Sequence, residues 1–148
     1  MTQIANKHAT EQASRNELLA TLSKNAHWTL RIALASVFLF HGLTKFQDLS
    51  GMAAMMGVPV AMWGLVALIE SVGGLLIIVG AFTKDMVTRI AGALLIIPMI
   101  GAIAMVHWPQ WSFVPSETHP MGGMEFQVTL LLIALYFVLR GNSDSQNT

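Results

Sequence analysis

Four stretches of this chain, 28–46, 60–82, 86–107 and 124–140, are strongly apolar, and each has the length of a membrane span. A helix needs about 20 such residues, in a range of roughly 17–25, to cross the hydrocarbon. Inside it every backbone N–H and C=O must find a partner within the protein. None of the four stretches alternates polar with apolar residues as a strand would, so each reads as a helix. Charged residues make up only 11% of the 148. A soluble domain carries about 25%, so this chain cannot cover a water-facing surface. The expected fold is all-α: a polytopic membrane protein with a four-transmembrane-helix bundle and an N-terminal polar or amphipathic segment.

The connections are a loop at 47–59, a short turn at Thr83-Lys84-Asp85 and a loop at 108–123. Pro59 suits the first turn of the second helix. Pro98 should kink the third. Residues 1–27 are polar and lack the apolar core of a secretory signal. Within them Ser14-Arg15-Asn16-Glu17 reads as a capping box ahead of Leu18, Leu19 and Leu22. Two readings stand for this segment, a short helix lying on the membrane surface and a mostly disordered tail. The domain plan is therefore 1–27, a membrane domain at 28–141, and a flexible polar tail at 142–148. Lys7, Arg15, Lys24 and Arg31 precede or open the first span, Lys84 and Arg89 flank the short turn, and Arg140 closes the last span. Of the cations, Lys45 alone falls on the other side. Positive residues collect in the cytoplasm, so both termini are expected there, with 47–59 and 108–123 facing outward.

Formal net charge is zero, which gives no reason to expect a nucleic-acid partner; the partner that composition implies is the lipid bilayer. The chain has no cysteine, which excludes disulfides, thiol redox chemistry and thiolate metal sites. The polar groups inside the spans are the candidate site. Glu70 lies ten residues past Val60, ~15 Å into the membrane at 1.5 Å per residue. A lone carboxylate at that depth costs at least ~2.5 kcal/mol, so it must be paired or protonated. Arg31, His41, Gly42 and Lys45 share one face of the first helix, and Trp63, Gly73, Gly74 and Gly80 share a face with Glu70. Arg31 or His41 could be the partner of Glu70. His107 and Glu125 flank the second loop and could meet across it.

Each candidate has a plain structural reading beside the functional one. An Arg31–Glu70 pair can fix helix register without doing chemistry. Lys45 can snorkel to the outer headgroups, and Arg89 and Arg140 can serve as cytoplasmic anchors. Trp108 and Trp111 suit the aromatic belt at the interface. On the functional side, Glu70 and His41 form a candidate proton relay, and Arg31, Lys45, His107 and Glu125 candidate substrate-binding groups. No metal site is assigned, although Met52, Met55, Met56, His119, Met121 and Met124 form a soft outer set of the kind that Cu(I) accepts. Methionine is also a common filler of apolar surface.

Taken in order, Arg31, Gly42-x-x-Lys45, Gly57-x-Pro59, Glu70-x-x-Gly73-Gly74, Gly80, Thr83-Lys84 and Gly122-Gly123-Met124-Glu125 resemble the DoxX family of small bacterial membrane proteins. The resemblance runs over 28–141. It departs from the family pattern at Lys84, where arginine is usual. It implies a four-helix protein of the bacterial inner membrane, similar to a subunit of a thiosulfate–quinone oxidoreductase and to membrane partners of other oxidoreductases. Fold does not carry function with it, and three functions remain open. The first is a small membrane subunit of a quinone-linked redox system, working with a soluble or membrane oxidoreductase. With no deep histidine pair for haem and no flavin fingerprint, it would be part of an enzyme rather than a complete one, with quinone as its cofactor. The second is a non-enzymatic membrane anchor or assembly factor. The third is a small-solute or copper-handling protein, which at this size would need a homo-oligomer.

Overall fold

The computed structural model describes residues 2–142, and every regular element among them is helical. Helix α1, Thr2–Asn25, passes into α2, His27–Lys45, through Ala26, whose φ −58° and ψ −31° are themselves helical. Ser14 therefore lies inside a helix, and the capping box expected there does not form. A 3₁₀ turn, Phe46–Asp48, leads to α3, Leu49–Met56. The stretch 47–59, expected as a loop, is thus largely helical. The Asp48 carboxylate starts α3 by accepting from Gly51 N–H at 2.8 Å. Gly57 ends it at φ 65°, a left-handed conformation that only glycine adopts freely.

Helix α4, Val60–Val79, begins immediately after Pro59 and closes in a 3₁₀ turn, Gly80–Phe82. Helix α5, Asp85–Ala102, contains Pro98 and continues into a π turn, Ile103–His107. A loop then leads to α6, Glu125–Arg140. Three helical stretches are long and apolar enough to cross a membrane, within Asn6–Met56, at Val60–Phe82 and at Asp85–His107. The chain is a membrane protein. Helix α6 has 16 residues, a little short of a full span. Residues 143–148 of the expected tail lie outside the described residues.

Packing explains why these helices need no polar exterior. Helix α2 packs on α4, α4 on α5 and α5 on α6, while α6 touches α2 more lightly. Their shared core includes Leu34, Phe38, Ile77, Leu95, Leu130 and Phe137. The outward faces remain apolar: Phe40, Leu65, Leu75, Ile97 and Leu132 are each more than half exposed. A helix apolar on all sides belongs in lipid.

One close approach sets the register of α2 on α4. A Cβ added to Gly42 would lie 2.7 Å from the Ser71 backbone nitrogen, and one added to Gly74 would lie 3.2 Å from the Leu39 nitrogen. The two helices are antiparallel, so Lys45 faces a level about two residues, ~3 Å, from Glu70. Helix α2 thus ends opposite the middle of α4. The outer half of α4 is covered by α3 instead.

Candidate functional site

That register creates the principal polar site. Lys45 is the last residue of α2, where the free helix carbonyls favour a cation. Its Nζ donates to Glu70 Oε2 at 2.5 Å and approaches the His41 carbonyl at 3.4 Å. Both side chains are nearly enclosed, at 14% and 6% exposure. The ammonium also lies 5.3 Å from the centre of the Trp63 ring. The Trp63 indole Nε1 is buried and has no hydrogen-bond partner among the described residues. The site is therefore a neutralised ion pair joining two helices, with an unused indole donor in the same cluster.

The pairing differs from the expected one. Lys45 does not snorkel outward, because α2 ends at the depth of Glu70 and the nearest compensating charge is that carboxylate. His41 is exposed, with its ring edge-on to Phe40, and among the described residues no hydrogen bond or ion pair joins it to Glu70. It does not belong to the enclosed polar core.

Arg31 is not the partner of Glu70 either. It is completely buried at the other end of the bundle. Nη1 donates to the Ile77 carbonyl and to Thr88 Oγ1, the latter at 3.2 Å, and Nη2 donates to Asn142 Oδ1 at 2.7 Å. Its guanidinium carbon stands 4.8 Å above the centre of the Phe137 ring. No carboxylate forms an ion pair with it among the described residues. Asn142, grouped from the sequence with the loose tail, is the keystone here. Its side-chain amide donates to the Gly80 and Thr83 carbonyls, and its backbone N–H donates to Asp85 Oδ1 at 2.5 Å. Arg89 joins the same end by pairing with Asp85 and donating to the Val138 and Leu139 carbonyls at 2.7 and 2.8 Å. It thus caps the C-terminal carbonyls of α6.

His107 is buried in the π turn, a local widening often found at functional sites. Its Nδ1 meets the Gly122 carbonyl at 2.8 Å, and its Nε2 meets Gln127 Nε2 at 2.8 Å. A carbonyl on one side and an amide NH₂ on the other assign the proton to Nδ1. Glu125 does not meet His107. Its Oε2 accepts from Phe113 N–H at 3.3 Å and ties the 108–124 loop to the start of α6. Among the described residues no hydrogen bond or ion pair connects Lys45 or Glu70 with His107 or Glu125.

Of the soft outer set, Met55 and Met121 are at least half exposed. Both ring nitrogens of His119 are engaged, with Trp108 O at 3.0 Å and Thr118 Oγ1 at 3.1 Å. No group of three or more His, Asp or Glu side chains is arranged to hold a metal ion among the described residues. Trp63 shares a helical face with Glu70 and could be found by angle alone. Thr88, Gln127 and Asn142 carry no such signal, since their partners are distant in sequence.

Comparison with known proteins supports the family that the motifs resemble. The DoxX family profile matches residues 26–108. A protein of Bacillus subtilis (strain 168) bearing the name "Putative oxidoreductase CatD" is 34% identical over 116 residues, covering 76% of this chain and 77% of that protein. No solved structure matches.

Proposed function

The chain belongs to the DoxX family, and from that membership we propose that it is a small membrane subunit of a quinone-linked redox system, with Lys45, Glu70 and Trp63 as its working site. The enclosed Lys45–Glu70 pair carries this reading. A quinone fits the donor set. One of its carbonyl oxygens can accept from Lys45 Nζ and from the unpartnered Trp63 N–H. Reducing a quinone takes two electrons and two protons. The electrons come from a partner oxidoreductase, which the chain's own residues do not replace. Glu70 would pass the two protons one at a time, each drawn from water, and Lys45 would offset its negative charge whenever it is ionised. The name of the Bacillus relative points to the same class of chemistry.

The test is gentle purification from native membranes, followed by extraction of quinone and mass-spectrometric identification of co-purifying proteins. Near-stoichiometric quinone together with a co-purifying oxidoreductase is the expected result. Phospholipid alone, with neither, would leave the anchor reading, in which the same ion pair only fixes α2 against α4.

In this reading α6 is the fourth span of a bundle in the bacterial inner membrane, with both chain ends in the cytoplasm. The cations at that end, Lys24, Lys84, Arg89 and Arg140, support the orientation. A reporter fused after Asn142 should therefore be active only as a cytoplasmic marker. Activity as an external marker would reverse the topology.

A further inference from the structure

At the end of the molecule where α2 begins and α6 finishes, a cleft of about 340 Å³ is lined by Ser23, Lys24, His27, Tyr136 and Arg140. No acidic residue lines it. Lys24 and Arg140 form no ion pair with a carboxylate among the described residues. His27 uses Nδ1 on the Lys24 carbonyl at 2.9 Å, which leaves Nε2. Ser23 and Tyr136 add two hydroxyl groups to the lining. Two cationic side chains, an imidazole and two hydroxyl-bearing side chains thus line one small cleft. That set suits a phosphate oxygen cluster bearing one negative charge.

The surroundings distinguish a lipid from a free ion. Ile32 on α2 and Leu139 on α6 flank this end, with exposures of 59% and 69%. Trp28 meets Phe82 at the same level, with tilted rings 5.3 Å apart between centres, and Phe82 is 76% exposed. A molecule with its phosphate in the cleft would have its acyl chains along these apolar faces. Basic pockets beside spans, on the side where cations gather, are suited to anionic headgroups. We propose that this cleft binds the phosphate headgroup of an anionic phospholipid, and that the bound lipid fastens the α1–α2 junction to the end of α6. The proposal does not depend on the redox reading.

The test is native mass spectrometry of the purified full chain with phosphatidylglycerol, with phosphatidylcholine, and with inorganic phosphate as separate probes. One phosphatidylglycerol should be retained per chain, and raising sodium chloride from low to high concentration should strip it. The K24Q/R140Q double variant should hold it at least about tenfold more weakly, since each cation near an anionic surface contributes roughly a kcal/mol. Tyr136→Phe, a milder change with little risk to folding, should weaken retention a few-fold. Equal retention of phosphatidylcholine, or no loss in either variant, would overturn the proposal. Saturable binding of inorganic phosphate that displaces phosphatidylglycerol would reassign the cleft to a soluble anion and overturn it as well.

Discussion

Lys45→Met and Glu70→Gln should each cost about 3–5 kcal/mol of stability, and the K45M/E70Q double variant should recover most of that loss. The reasoning rests on desolvation. In the native protein each charge is neutralised by its partner at 2.5 Å, and both are shielded from water. Removing the lysine strands a carboxylate in the centre of the bundle, and removing the glutamate strands an ammonium. Removing both leaves a methionine and an amide, which the packed α2–α4 interface can accommodate without a bare charge. The measurement is a double-mutant cycle on unfolding free energies in mixed micelles. Near-additive losses would mean that the two groups act independently and that the pair does not form.

The second large effect is expected at the opposite end. Asn142→Ala should destabilise the protein by about 3 kcal/mol, because hydrogen bonds to charged groups contribute ~1.5–3 kcal/mol each. The Asn142 Oδ1 accepts from both Arg31 Nη2 and Thr88 Oγ1, at 2.7 and 2.6 Å. Without it a fully buried guanidinium keeps two acceptors, the Ile77 carbonyl and Thr88, while its Nε already lacks one. Arg31→Met in the Asn142→Ala background should then restore part of the loss, since the poorly satisfied charge is gone. If Arg31→Met deepens the loss by its full single-variant cost, the two residues are not coupled. Thermal unfolding of the four proteins in detergent decides between these outcomes.

The spans were legible because hydrophobic length is a one-dimensional property of the chain. Helices α2, α4 and α5 fall close to 28–46, 60–82 and 86–107. Depth was not legible in the same way. Counting from Val60 puts Glu70 near the middle of its helix, where α4 has it, but leaves Lys45 at the surface, because sequence alone gives no reason for the first span to stop short of the second. In the structure α2 stops opposite the middle of α4, and eight residues of α3 cover the remainder. The approaches of Gly42 to Ser71 and of Gly74 to Leu39 reveal this, and both are contacts between segments far apart in sequence.

The partners of Arg31 were illegible for a related reason. A buried arginine is expected to seek a carboxylate, yet the terminal nitrogens of this one donate to a carbonyl, a threonine and an asparagine from beyond the last helix. The separation of Glu125 from His107 follows from the loop. It folds back so that Trp111 and Phe113 engage Glu125, while Gly122 and Gln127 take the histidine.

The central claim is that the Lys45–Glu70 pair does chemistry as well as holding two helices together. The direct measurement compares quinone content and partner-dependent quinone reduction in the wild-type protein and in the stability-restored K45M/E70Q variant. A variant that folds and melts like the wild type but has lost both quinone and turnover is the predicted result. A variant that keeps both would contradict the claim and make the pair a purely structural link between α2 and α4.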